Sequence, residues 1–206
     1  MSLPKSNTDF YRVLYPESKE KTLNEKLENI SRGNTCKGVN REIIKYLLSL
    51  KNDFADEHFL DLPCGEGAFL KAVHEFFPQA KPVGGDLRPP SKFFSPEFLQ
   101  IDARRGISLQ TKRKFKVITC ISGVMEFDNT LNFFESVKEN LEENGSFIVT
   151  NDNLLTVRDR FLYLLFGRFR QFRFTIDKKQ PTWKILTLQN LLRILHEAEF
   201  EVVEIK

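Results

Sequence analysis

Three aspartates and two closely spaced glycines are the residues of this chain whose types and spacing could do chemistry together. Asp61 opens the run Asp61-Leu62-Pro63-Cys64-Gly65-Glu66-Gly67, and Asp86 and Asp102 each close a short apolar segment further on. Glycines at 65 and 67 let backbone approach a ligand closely, and a helix leaving such a turn aims its N-terminus at the same place. Carboxylates accept hydrogen bonds but repel phosphate. Two phosphate-binding motifs fail here. GxGxxG begun at Gly65 needs glycine where Leu70 stands; begun two residues earlier it ends on an acceptable Ala68 but needs glycine in place of Pro63. The Gly-Lys-Ser/Thr of a P-loop is absent.

The elements that must position these residues follow from hydrophobic patterning. His58 to Leu62 reads as a strand entering the glycine turn, and Phe69, Leu70, Val73, Phe76 and Phe77 form a helical stripe that Pro78 ends. Lys81 to Asp86 and Phe98 to Asp102 read as the second and third strands. Lys116 to Ile121, β-branched and buried in character, is the fourth. A helix is expected from about Asp128 to Glu143, with Gly145 as its C-terminal cap, then a fifth strand over Ser146 to Thr150. Thr187 caps a helix carrying Leu188, Leu191, Leu192 and Leu195, and Phe200 to Ile205 reads as a last strand. Upstream, Ile43, Ile44, Leu47 and Leu48 share one helical face with Asn40 as its N-cap, while residues 1–36 read as a polar arm or surface helix. Strands alternating with helices predict a three-layer α/β/α architecture, a mostly parallel sheet covered on both faces, with ligands at the carboxyl ends of its strands.

In that setting the run from Asp61 to Gly67 resembles motif I of class I S-adenosylmethionine-dependent methyltransferases, an acidic residue followed by small residues and glycines. The resemblance extends from about residue 40 to the end of the chain. It implies a Rossmann-like methyltransferase domain over 37–206, with S-adenosylmethionine as cofactor. By position it implies that Asp61, Leu62, Pro63, Cys64, Gly65 and Gly67 line the cofactor. Asp86 with Leu87 would take the ribose, Asp102 with Ala103 the adenine, and Ser122, in Cys120-Ile121-Ser122-Gly123-Val124, the methionine part. Such carboxylates suit a cofactor with hydroxyls, an ammonium and a sulfonium. The sequence departs from the family pattern at Pro63, where a glycine is usual, and at Phe127, where many members carry histidine. The family's last, antiparallel strand has no counterpart after 200–205.

The methyl acceptor leaves a fainter trace, because transfer from a sulfonium can rest on orientation and exclusion of water without a dedicated base. The catalytic residues therefore stay unassigned. The Asn/Asp-Pro-Pro-aromatic motif of methyltransferases acting on nucleobase amino groups is missing. Residues 154–183 read as an acceptor-side insertion. There Phe161, Leu162, Leu165, Phe166 and Phe169 make a helical stripe flanked by Arg158, Arg160, Arg168, Arg170 and Arg173. That pattern fits a helix packed over the cofactor site with a solvated basic face, or a lid meeting an anionic or amphipathic acceptor. Asp152, Glu126 and Tyr163 are candidate polar contacts. The expected acceptor is a small molecule, glycan or lipid precursor. The alternative is a non-catalytic S-adenosylmethionine-binding or RNA/protein-binding module.

Composition sets the outer bounds. The 206 residues fit one domain, and a formal net charge of +3 does not by itself call for nucleic acid or membrane. Peripheral membrane contact through the basic–aromatic stretch stays open. Cys36, Cys64 and Cys120 are too scattered for a disulfide framework or a zinc site, so no metal is expected and a reducing, cytoplasmic setting is. The 20 phenylalanines favour a packed interior or an apolar binding surface. No apolar run reaches the roughly 20 residues of a bilayer span.

Overall fold

The computed structural model describes residues 17–50, 54–89, 97–107, 110–169 and 184–206. Its centre is a five-stranded sheet, every pairing parallel, in the order β3-β2-β1-β4-β5. The strands are β1 (His58–Asp61), β2 (Lys81–Asp86), β3 (Glu97–Gln100), β4 (Phe115–Cys120) and β5 (Leu141–Val149). The helices are α1 (Glu17–Glu28), α2 (Val39–Ser49), α3 (Ala68–Phe76), α4 (Thr130–Asn140), α5 (Val157–Phe166) and α6 (Leu188–Glu197).

The period of two along each strand splits the interior into two layers. On one side Phe59 of β1 and Val117 of β4 pack with Ile43, Ile44 and Leu47 of α2 and with Phe69 and Val73 of α3. On the other, Leu60 and Ile118 meet Phe133, Phe134 and Val137 of α4 and Leu191 and Leu195 of α6. Much of the phenylalanine excess is spent here. Phe134 packs edge-on against Phe147 at 5.2 Å between ring centroids, and Phe147 meets Phe200 at 5.4 Å. These contacts are the expected α/β/α sandwich, seen as packing.

The structure corrects the expected boundaries in three places. Asn40 is not an N-cap: α2 starts at Val39 behind Gly38, and the Asn40 amide instead donates to the Ser31 carbonyl at 2.8 Å. The helix expected to reach Glu143 stops at Asn140, whose amide donates to the carbonyls of Thr111 and Arg113 at 3.0 and 2.8 Å and holds the chain at the sheet edge. Leu141 then pairs with Phe115 and Ser146 with Val117, so Gly145 belongs to an irregularity inside β5, next to Asn144 at φ 61°, and is no helix cap. The strand expected over 200–205 does not form. Glu199 turns the chain at φ 57°, Phe200 docks on Phe147, and residues 201–206 run exposed. No described strand lies beside them, and an unpaired strand satisfies none of its own backbone groups.

Candidate functional site

Reading the sheet from β1 outward, chain order reverses between β1 and β4, and the carboxyl ends of the strands on either side of that reversal open a crevice. A cavity of about 460 Å³ lies there. Asp61 closes β1, Asp86 closes β2, and Ile121 and Ser122 follow β4; all four line it, with Pro63, Cys64, Gly65 and Glu66 from the turn between β1 and α3.

Hydrogen bonds fix this turn. Cys64 N–H donates to the Gly85 carbonyl at 2.9 Å, and Gly65 N–H, at a backbone φ of 50°, donates to the Asp86 carboxylate at 3.0 Å. The Leu62–Pro63 peptide is cis. Gly123 lies against it so closely that a Cβ at 123 would stand 2.3 Å from the Pro63 ring. Ser122, at φ 56°, donates its backbone N–H to the Thr150 hydroxyl oxygen at 2.9 Å, which ties the end of β4 to the end of β5.

The electrostatics of the cavity are acidic. Asp61 is fully buried; burial pushes its carboxyl up to about 7, opposed by a 2.7 Å hydrogen bond from the Thr119 hydroxyl and assisted by the negative charge of Asp86. Glu126, also on the wall, is held above the ordinary carboxylate range by burial first and then by Asp86. Burial, with Asp61 second, drives the thiols of Cys64 and Cys120 far above the usual range, so neither is a nucleophile at neutral pH. Four carboxylates, Asp61, Glu66, Asp86 and Glu126, thus face a single cation among the described lining residues, Arg32.

Of the residues singled out from sequence, Asp61, Pro63, Cys64, Gly65, Asp86 and Ser122 come together on this wall. Leu62 instead turns into the core on the opposite face of the sheet from Asp61, and Gly67, at φ 76°, precedes the first turn of α3. Leu87 stands exposed past the end of β2. Asp102, 3.7 Å from Arg105, and the buried Ala103 follow β3, outside the cavity lining. Glu126 is on the wall, whereas Asp152 and Tyr163 are not. Arg170, Arg173 and the rest of the stretch to Trp183 lie outside the described residues.

Sequence reasoning missed the segment that closes the other side, Arg32-Gly33-Asn34-Thr35, together with Asn40. The Thr35 hydroxyl is 2.6 Å from that of Ser122, so the segment is latched to the tip of β4. Asn40 is 3% exposed, and its Oδ1 has no hydrogen-bond partner within the protein. The only trace of this wall in the sequence is the turn-forming cluster Ser31-Arg32-Gly33-Asn34-Thr35.

Among solved structures, the chain resembles an S-adenosylmethionine-dependent methyltransferase from Archaeoglobus fulgidus, with a TM-score of 0.58 and 15% identity over 88% of this chain and 74% of the other. The CurJ carbon methyltransferase gives 0.58 and 15% over 95% of this chain and 56% of its own length. The YcgJ protein of Bacillus subtilis gives 0.55 and 16% over 76% and 67%. These likenesses speak for the fold. No curated protein matches the chain in sequence. Among the described residues no group of His, Cys, Asp and Glu could hold a metal ion, and no helix is long and apolar enough to cross a membrane. The sequence profile of the methyltransferase domain matches residues 36–205, the whole sheet and every described helix but α1, and on that ground the chain belongs to the methyltransferase-domain family.

Proposed function

We propose that the cavity binds S-adenosylmethionine and that the protein transfers its methyl group to a small molecule, glycan or lipid precursor. The observation that carries this reading is the charge and hydrogen-bonding character of the wall: four carboxylates, one arginine and a buried, unpartnered amide oxygen at Asn40. A nucleoside bearing a sulfonium, an ammonium, a carboxylate and ribose hydroxyls complements each of these, whereas a dinucleotide would bring phosphates against Asp61 and Asp86. The lining residues fit such a cofactor. Arg32 suits its carboxylate, the Asn40 Oδ1 its ammonium, and Asp86 its ribose through the carboxylate oxygen that Gly65 leaves free. In the same reading Leu87 flanks the ribose, Asp102 and Ala103 lie toward the adenine, and Ser122 borders the methionine part.

When bound, the cofactor supplies an activated methyl group. The work left to the chain is orientation and exclusion of water. Thr35 and Ser122 join the two walls, and Glu126 is a carboxylate made more basic by its surroundings, available for an acceptor's proton. Domain bounds of 37–206, with residues 154–183 on the acceptor side, belong to the same proposal.

Titration calorimetry with S-adenosylhomocysteine tests the reading. Asp86→Ala is expected to weaken binding by about 1–3 kcal/mol, the cost of an unmade hydrogen bond to a charged acceptor. A folded wild-type chain with no affinity for this nucleoside, or an Asp86→Ala variant with unchanged affinity, refutes it.

A further inference from the structure

We propose that α5 is a docking element that seats the protein on the surface of an anionic lipid bilayer. The sequence specifies this helix at both ends. Thr156 caps it, accepting from Asp159 N–H at 3.1 Å and donating to the Asp159 carboxylate at 2.5 Å, and Gly167 closes it at φ 62° with its N–H on the Tyr163 carbonyl at 2.8 Å. Ends defined in this way hold a helix of set length. Yet few of its apolar side chains are covered: Tyr163 stacks on Phe169 at 5.0 Å between ring centroids, and Leu162 is half-buried. Asp159 is its one buried residue, while Leu164 is 76% and Leu165 68% exposed, and Val157, Phe161, Tyr163 and Phe166 are exposed as well.

The arrangement of these side chains says what would cover them. At 100° per residue, Phe161, Leu164 and Leu165 occupy one side of the helix and Tyr163 and Phe166 the other, so its C-terminal half is apolar all round. A helix lying in the headgroup layer sinks one side, here Phe161, Leu164 and Leu165, toward hydrocarbon, and leaves an amphipathic ring such as that of Tyr163 at the wet boundary. The charges agree. From 153 to 169 the charged residues that reach solvent are Arg158, Arg160 and Arg168, all basic, and the one acid, Asp159, is folded inward against Thr156. Arginines at both ends of an apolar segment match a layer of anionic headgroups, with their stems along the hydrocarbon boundary and their heads in water. Ten residues rise about 15 Å, half a bilayer core, which suits lying in the interface and not crossing it.

The location has a consequence for access. Thr150, six residues before the α5 cap, is bonded to Ser122 on the cavity wall. Docking through α5 therefore brings the strand tips and the cavity near the headgroups. The proposal stands on the exposure and charge of α5 and does not depend on the methyl-transfer reading.

Flotation of the full chain with vesicles decides it. Binding is expected to vesicles of phosphatidylcholine with about a third phosphatidylglycerol, with much weaker binding to phosphatidylcholine alone and a decline as salt rises. Leu164→Glu/Leu165→Glu should lower retention at least tenfold, and Arg158→Gln/Arg160→Gln should remove the preference for anionic vesicles. Both pairs lie at exposed positions, and matching circular dichroism and melting midpoints verify that the variants fold. Wild-type protein that does not float, or a double-glutamate variant that floats equally well, overturns the proposal. So does a concentration-dependent dimer in ultracentrifugation that the glutamate pair abolishes, because a second copy would then be what covers the helix.

Discussion

The tips of β1, β2 and β4 and the helix α5 are joined through Thr150, but they are assembled in opposite ways. At the strand tips nearly every group is spoken for. Asp61 has Thr119, Asp86 has the Gly65 N–H, Ser122 has Thr35 and Thr150, and Gly123 is pressed against Pro63. On α5 the backbone is capped and Asp159 is bonded to Thr156, but most of the apolar side chains reach solvent. A wall that must present carboxylates at fixed places to a polar ligand needs buried, mutually bonded partners. A surface that meets a fluid or variable partner needs area and charge, with no set geometry.

Phenylalanine substitutions test that contrast most strongly. Phe134 is fully buried between α4 and the sheet, and Phe134→Ala is expected to cost about 3–5 kcal/mol, read as a lowered denaturant midpoint. Phe166→Ala on α5 is expected to change stability by no more than about 0.5 kcal/mol. If Phe166→Ala costs as much as Phe134→Ala, then α5 is packed in solution and the contrast fails.

Glycine substitutions sharpen it at the backbone. Gly123 has an ordinary backbone, φ −109°, and no room, whereas Gly167 has a left-handed backbone, φ 62°, and nothing within 4 Å of an added Cβ. Gly123→Ala must displace Pro63 and is expected to destabilise by about 1–3 kcal/mol, as overpacking does, and to weaken S-adenosylhomocysteine binding with it. Gly167→Ala bears only the left-handed strain, about 1 kcal/mol, and should leave nucleoside affinity unchanged. Equal effects on affinity would mean that the two regions do not differ as described.

How far each region could be read beforehand follows from the same physics. The sandwich was legible because strands and helices impose periods of two and 3.6 on apolar residues, and Asp61, Asp86 and Ser122 stand where those periods stop. The side chain of Leu62 points into the core, as alternation along β1 already implies by turning it away from Asp61. The wall formed by Arg32, Asn34 and Thr35 was not legible, because it comes from a loop about thirty residues before the glycine turn and a loop has no period, and Asn40, in the first turn of α2, read only as a cap. Gly145 suggested a helix cap from local spacing alone. The pairing of Leu141 with Phe115, a contact across the sheet, decided otherwise. On α5 the amphipathic composition was plain, but whether protein or solvent met the stripe depended on what folded beside it.

Titration of Asp61 gives the most graded test of the rigid wall. Its carboxyl is raised from 3.8 to about 7, chiefly by burial. Between those values the folded protein keeps a proton that the unfolded chain has released, so stability falls as pH rises from about 4 to about 7 and levels off above. One proton limits the slope to about 1.4 kcal/mol per pH unit. A cationic ligand favours the ionised carboxylate, so affinity for S-adenosylmethionine should rise with pH across the same window. Asp61→Asn keeps an oxygen to accept from Thr119 and removes the ionisation; it should therefore flatten both profiles in urea melts and calorimetry between pH 5 and 8. Thr119→Val removes the hydrogen bond that favours the ionised form and should move both midpoints to higher pH. Profiles identical in wild type and Asp61→Asn would show that this carboxyl is not the group titrating, and that the acid end of β1 is as loosely held as the surface of α5.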